Sequence, residues 1–264
     1  MAIRVLVSGS GKMGREVLAA VCRADDLEPA GVVDLFAKGD SIALPDGSGV
    51  VPFGPDATAL IRESRPDVAV DFSNAEWTPR LAEAALPAGV RLVIGTTGLP
   101  EAFINGLGEE CAKRKLGAVV APNFAMGAVL MQHFSALAAR YYEYAEIIEL
   151  HHEGKADAPS GTSIATARAM VSGRDKMFVR PPTVKETVPG TRGSDVEGIT
   201  IHSVRLPGLV AHQEVILGAA GETLRIRHDS LGRDSFMPGV LTAIRHVMTH
   251  PGLVVGVEEL IGLK

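Results

Sequence analysis

Val5-Leu6-Val7-Ser8-Gly9-Ser10-Gly11-Lys12-Met13-Gly14 decides the fold of the first half of the chain. A short apolar run rich in β-branched residues enters G-x-G-x-x-G, and an amphipathic stretch follows. The three glycines then serve different ends. Gly9 permits a tight turn, Gly11 lets backbone approach a pyrophosphate, and Gly14 lets the helix pack against the strand. The helix start adds free N–H groups and the positive end of a dipole, so Ser10, Lys12 and Met13 join the candidate phosphate-facing residues. The pattern alone is weak, and a glycine-rich turn without a ligand is the competing reading. Its place between strand and helix strengthens it. So does Asp34, which ends the next apolar run about 20 positions beyond Gly14, the spacing that a dinucleotide fingerprint expects.

Outward from this motif, apolar runs at 3–7, 31–34, 67–72, 90–94 and 118–121 read as buried strands. They lack polar alternation, as a parallel sheet covered on both faces requires. Amphipathic stretches at 13–24, 57–64, 75–87 and 101–115 read as the helices between them. Strand–helix alternation predicts βαβ units, and so an α/β, Rossmann-like, doubly wound dinucleotide-binding domain over residues 1–122. The pattern then changes to a helix at 125–141, a strand at 144–152, a helix at 160–172 and an extended loop at 173–197. Strands at 198–206, 211–217 and 222–229 follow, with the alternation of a sheet that has one open face. Residues 123–234 are therefore expected to form an α+β substrate-binding and oligomerisation domain with a mixed sheet. A C-terminal helical segment, 235–264, is expected to pack back on the first domain.

Bulk properties narrow the function. The 264 residues carry a formal net charge of −5, which disfavours a nucleic-acid partner. The two cysteines, Cys22 and Cys111, are in no CxxC pair and read as reduced thiols. Neither a charged leader with an apolar core nor a membrane-spanning run is visible, so a cytoplasmic protein without a membrane partner is expected.

Several segments should meet at the ligand edge of the first sheet. Asp34 would accept hydrogen bonds from a ribose 2′-hydroxyl and repel a 2′-phosphate. Leu35 and Phe36 supply no cation to cancel that repulsion, while Lys12 and Lys38 are either solvated or within reach. This reading admits NADH and NADPH and favours NADH. Gly95-Thr96-Thr97 and Ala121-Pro122-Asn123-Phe124 follow strands at the same edge, where open parallel sheets bind ligands, as does Asp71-Phe72-Ser73. The threonines also suit turn-forming or helix-capping roles.

The densest chemistry is Glu149-Leu150-His151-His152-Glu153-Gly154-Lys155-Ala156-Asp157-Ala158-Pro159-Ser160-Gly161-Thr162. Two histidines end a strand, a lysine follows, and Ser160 can cap a helix whose first turn holds Gly161 and Thr162. That supplies a proton-transfer group, a cation and an anion-binding helix start. Adjacent strand residues point to opposite faces, so His151 and His152 do not suit one metal ion, and none is expected. One buried structural histidine and a solvated Lys155 are the plain alternative.

The glycine motif, Gly95-Thr96-Thr97-Gly98, Ala121-Pro122-Asn123-Phe124 and His151-His152-x-x-Lys155-x-Asp157-Ala158-Pro159-Ser160-Gly161-Thr162 occur in the order found in 4-hydroxy-tetrahydrodipicolinate reductases, which this chain resembles over nearly its whole length. The resemblance implies NAD(P)H-dependent reduction of a cyclic dicarboxylate with loss of water, in the diaminopimelate route to lysine. It makes His151 and Lys155 the catalytic proton carriers, and His152, Ser160, Gly161 and Thr162 substrate-binding positions. It assigns the 9–14, 95–97 and 121–124 segments and Asp34 to the cofactor. It also implies a homotetramer joined through the second domain's sheet. The rival readings are another two-domain NAD(P)-dependent dehydrogenase of amino or hydroxy acids, and a non-catalytic NAD(P)H sensor.

Overall fold

The structure, a computed structural model, describes residues 2–263. The chain runs through β1 (Ile3–Ser8), α1 (Lys12–Arg23), β2 (Leu27–Val33), β3 (Ser41–Ala43), β4 (Val50–Gly54), α2 (Ala57–Ser64), β5 (Val68–Asp71), α3 (Trp77–Ala85), β6 (Arg91–Ile94), α4 (Glu101–Arg114) and β7 (Gly117–Val120). It continues through α5 (Met126–Ala138), β8 (Tyr144–His151), α6 (Gly161–Ser172), β9 (Ser194–Val196), β10 (Ile199–Arg205), β11 (Ala211–Ala219) and β12 (Glu222–Ser230). It ends with α7 (Met237–Thr249) and β13 (Gly252–Val255). Two compact units result: one holds the chain up to Met126 together with the stretch from Arg233 onward, the other is Gly127–Gly232. Among the described residues no helix is long and apolar enough to cross a membrane.

The first unit is built on an eight-stranded sheet ordered β13-β7-β6-β5-β1-β2-β4-β3, parallel except where β3 meets β4. The expectation of a doubly wound parallel sheet holds. Leu6, Ala69, Leu92 and Ile94 pack into one apolar cluster with Leu60 of α2, Leu81 of α3 and Leu107 of α4. The alternate residues Val5, Val7, Val70, Val93 and Val119 are as fully buried, which is why these strands read as unbroken apolar runs. The edge strand β3 and its neighbour β4 were not expected; they flank the turn-forming Pro45-Asp46-Gly47-Ser48-Gly49 and bury little.

The tail corrects the sequence reading. No helix covers 235–264: α7 stops at Thr249, and β13 adds a parallel strand beside β7. Pro251 cannot continue the helix, Gly252 adopts φ +107°, and Leu253-Val254-Val255 favour a strand. The joint is tight at Gly117, where an added Cβ would overlap the carbonyl oxygens of Val247 and His250.

The second unit holds a mixed five-stranded sheet ordered β12-β11-β8-β10-β9. Its centre, β8, pairs parallel with β10 and antiparallel with β11. Ala145, Ile147, Ile199, Ile201, Val215 and Leu217 cluster with Ala167 and Met170 of α6, while Ile148, Leu150, Val204 and Ile216 on the other face stay partly exposed. β9 falls inside the segment expected to be loop, and it is only three residues long.

Gly117→Ala should destabilise the protein by about 1–3 kcal/mol through this overlap. In hydrogen exchange the β13 amides should lose protection before those of β1 and β5. Unaltered protection at Val254 and Val255 would show that the tail does not depend on this packing.

Candidate functional site

In the first unit, β1 is the point from which the strand order runs both ways, with β2 on one side and β5 on the other. Open parallel sheets bind ligands at the strand C-termini beside such a point. The chain leaves β1 through Gly9 at φ +98°, and a Cβ on Gly14 would overlap the Gly9 carbonyl oxygen. A Cβ on Gly11, by contrast, would meet nothing within 4 Å. No side chain caps the first turn of α1. Exposed backbone room and uncapped N–H groups together fit a diphosphate.

Asp34 follows β2 at the same edge. Its Oδ2 accepts from Ser10 N and Oγ, both at 2.7 Å, and its Oδ1 accepts from Phe36 N at 2.9 Å. Partial burial alone would raise its pKa, but these donors outweigh it and hold the carboxyl below the usual range. Asp34 is thus an ionised acceptor fixed beside the glycine turn. Lys12 and Lys38 are exposed, and Met13 is half-buried.

A second carboxylate organises this edge. Asp71, at the end of β5, has no exposed surface. Its Oδ1 accepts from Ser8 Oγ and Ser73 Oγ, each at 2.6 Å, and its Oδ2 from Thr78 Oγ1 at 2.6 Å and Thr96 Oγ1 at 2.8 Å. Thr96 Oγ1 accepts in turn from Ser73 N, and Ser8 Oγ from Trp77 Nε1. The loops after β1, β5 and β6 are tied to one group. Gly95 lies against the Phe72 ring, which packs at 5.6 Å from that of Phe124. Ala121 and Phe124 turn their side chains into the core, so only their backbone faces the edge. Thr97 and Pro122 are exposed, and Asn123 accepts from Ala125 N through Oδ1.

In the second unit the 149–162 segment folds around Glu149. Residues two apart on a strand share a face, so His151 falls beside Glu149 and His152 does not. Glu149 is fully buried, and His151 Nδ1 stands 2.5 Å from its Oε2. Arg205, next to His151 on β10, donates from Nη1 and Nη2 to the two Glu149 oxygens at 2.8 Å each. Ser160 N donates to Oε1 at 3.2 Å, while Ser160 Oγ caps α6 by accepting from Ser163 N at 3.1 Å. Gly161 opens the helix, with free space where a Cβ would be, and Thr162 sits half-buried in the first turn. Lys155 Nζ pairs with Asp157 Oδ1 at 2.7 Å, and Lys155 N donates to the His152 carbonyl. The His152 side chain is exposed.

Burial pushes Glu149 towards protonation, but hydrogen bonds from Arg205, Ser203 and His151 outweigh it and keep the carboxyl below its ordinary range. Burial also lowers the His151 pKa; Glu149 pulls it back up, and Lys155 and Arg205 oppose protonation. The net effect is an imidazole that is neutral at neutral pH. Among the described residues no group of three or more His, Cys, Asp or Glu is placed to hold a metal ion.

The structure therefore gathers the glycine turn, Asp34, Thr96 and the 121–124 backbone at one sheet edge, and His151, Lys155 and Ser160–Thr162 at one strand–helix junction. Sequence reasoning placed Asp71 at the edge without giving it a role, and it selected neither Glu149 nor Arg205. An acid ending an apolar strand signalled Asp71, and the i, i+2 spacing to His151 signalled Glu149. Nothing local signalled Arg205, which arrives through strand pairing 56 residues away.

Known proteins match both units of the chain. Residues 3–124 match the family described as dihydrodipicolinate reductase, N-terminus, and residues 127–261 match dihydrodipicolinate reductase, C-terminus. The chain is 48% identical over 264 residues to a 4-hydroxy-tetrahydrodipicolinate reductase of Geobacillus thermodenitrificans, covering 99% of this chain and 100% of that protein. It is 45% identical over 262 residues to one from Dehalococcoides mccartyi, covering 99% of each. A solved structure, dipicolinate-bound dihydrodipicolinate reductase from Paenisporosarcina sp. TG-14, is similar with TM-score 0.88 and 41% identity, covering 98% of this chain and 99% of that one.

Asp71→Ala would leave hydroxyls of Ser8, Ser73, Thr78 and Thr96 without their shared acceptor. It should cost about 2–4 kcal/mol in urea unfolding. A loss under roughly 0.5 kcal/mol, the level of an ordinary surface substitution, would show that the network is dispensable.

Proposed function

The chain belongs to the dihydrodipicolinate reductase family, and from that membership we propose that it reduces 4-hydroxy-tetrahydrodipicolinate to tetrahydrodipicolinate, in the diaminopimelate route to lysine. The substrate is a cyclic dicarboxylate with an imine and a hydroxyl. The net change is the addition of one hydride and one proton and the loss of one water. The observation that carries the reading is the 149–162 segment, where His151 sits on the buried Glu149 carboxylate, Lys155 follows on the next turn and Ser160 caps a helix start.

The first unit is the dinucleotide-binding part. A reduced nicotinamide dinucleotide held there would supply the hydride. The start of α1 would take its diphosphate, and Asp34 its ribose. With Asp34 ionised and Ser10 oriented toward it, a 2′-phosphate would face negative charge, so the reading favours NADH over NADPH. The backbone of the 95–97 and 121–124 segments lines the same edge.

The second unit is the substrate-binding and oligomerisation part. His152, Ser160, Gly161 and Thr162 would bind a substrate carboxylate, with N–H groups of the α6 start and the Lys155 ammonium as donors. Hydride addition leaves negative charge on the substrate, which a proton must quench. Lys155 Nζ, paired with Asp157, would donate such a proton. The neutral His151 offers its second ring nitrogen to accept or relay one. A homotetramer through the open sheet face, where Ile148, Leu150, Val204 and Ile216 remain partly exposed, belongs to the same reading. So does a cytoplasmic setting, where reduced nicotinamide cofactors are kept.

The decisive measurement is oxidation of NADH and NADPH by the purified protein, with substrate generated in place from pyruvate and aspartate semialdehyde by a synthase. Substrate-dependent oxidation is expected; none, from folded protein that binds NADH, would sink the reading. NADH should be preferred by about tenfold, equivalent to roughly 1.4 kcal/mol, and Asp34→Ser should narrow that preference. His151→Ala should lower kcat by about 10²–10³-fold with NADH affinity near normal. Lys155→Ala should raise KM and lower kcat together, because it both binds and donates.

A further inference from the structure

We infer that the buried Glu149–Arg205 ion pair is a positioning device for proton transfer: Glu149 fixes His151 as the Nδ1–H tautomer, and Arg205 ties the loop bearing Lys155 to the same carboxylate. This rests on the reading of His151 and Lys155 as the proton carriers. The geometry supports each half separately.

A carboxylate 2.5 Å from Nδ1 can only accept, so the ring hydrogen of a neutral imidazole has to be on Nδ1. That leaves Nε2 with its lone pair, and among the described residues no hydrogen bond engages it. Glu149 has little freedom to move. It is held by both Arg205 terminal nitrogens, by Ser160 N and by its place in the central strand of the sheet. Arg205 Nη2 also donates to the Asp157 carbonyl at 2.7 Å. Asp157 is in turn the ion-pair partner of Lys155. One guanidinium thus links the carboxylate behind His151 to the turn behind Lys155.

A purely structural role would not need these features. Breaking a buried ion pair is costly, yet apolar residues of the same size often serve stability as well. Arg205 even leaves its buried Nε without a partner. The arrangement is instead what fixes a tautomer and two relative positions. The charged groups facing His151 are Glu149 on its own strand, Arg205 on β10 and Lys155 on the following loop; on β11 the residue opposite is Ala211.

The experiment is two-bond 1H–15N correlation of the imidazoles in 15N-labelled protein, with kcat and KM against pH. Wild-type His151, above its titration, is expected as the Nδ1–H tautomer. In Glu149→Gln the amide oxygen should stay with Arg205 and its NH2 should face His151, so the ring should switch to Nε2–H. There kcat should fall roughly 10–100-fold, less than the roughly 10²–10⁴-fold of a fully lost acid–base contribution. The acid limb of the profile should move to lower pH, because the group that raises the His151 pKa is gone, and the KM for NADH should be unchanged. Glu149→Asp should restore the Nδ1–H tautomer and part of kcat. An Nε2–H tautomer in wild-type protein overturns the inference, and this readout needs no variant to fold. A Glu149→Gln protein with unaltered tautomer and pH profile overturns it as well. Failure of the assigned reaction reads differently: wild-type protein inert toward the substrate, with His151 still protonated on Nδ1.

Discussion

A charge taken out of water must be met by donors, and this demand shapes both units. Each places a carboxylate with no exposed surface in a central strand of its sheet, at or near the C-terminal end: Asp71 in β5 and Glu149 in β8. Leaving either without partners would cost several kcal/mol, so the surrounding chain is arranged to supply them. The donors come from segments far apart in sequence. The carboxylates therefore do for loop placement what the apolar clusters do for the layers.

The two are met differently, with different consequences. Asp71 takes hydroxyls from Ser8, Ser73, Thr78 and Thr96, all neutral donors. The loops after β1, β5 and β6 are drawn together, and no cation is added beside an edge where a negatively charged diphosphate fits. Glu149 is met by a guanidinium, an imidazole, a backbone N–H and the Ser203 hydroxyl. Its negative charge is thereby kept, and part of it is directed at the His151 imidazole.

How much of this was legible in the sequence follows from the range of each interaction. The parallel sheet was visible because strands covered on both faces are unbroken apolar runs, as in Val5-Leu6-Val7. The glycine turn was visible because Gly9 and Gly14 answer to contacts within a few residues of each other. β13 was missed because a helical reading ran across Pro251, and β3 and β4 because short strands at the margin of a sheet bury too little to impose a pattern. Ala121 and Phe124 lie where the edge was expected, but burial of their side chains leaves that edge only their backbone. Arg205 was not legible at all, since only the register of β10 on β8 brings it to Glu149.

The difference in range also explains why one half of the candidate machinery is contiguous and the other scattered. A proton carrier and its anion cradle need a strand end followed by a helix start, which one loop can supply; residues 149–162 have that form. A dinucleotide is long, and its binding edge has to be collected from the C-termini of β1, β2, β5, β6 and β7, whose loops are independent in sequence. Such an edge holds together only if something common fixes those loops. Asp71 meets that requirement for three of them. The glycine motif therefore specifies where a phosphate fits, while a fully buried acid decides whether the neighbouring loops stay in place to receive the rest.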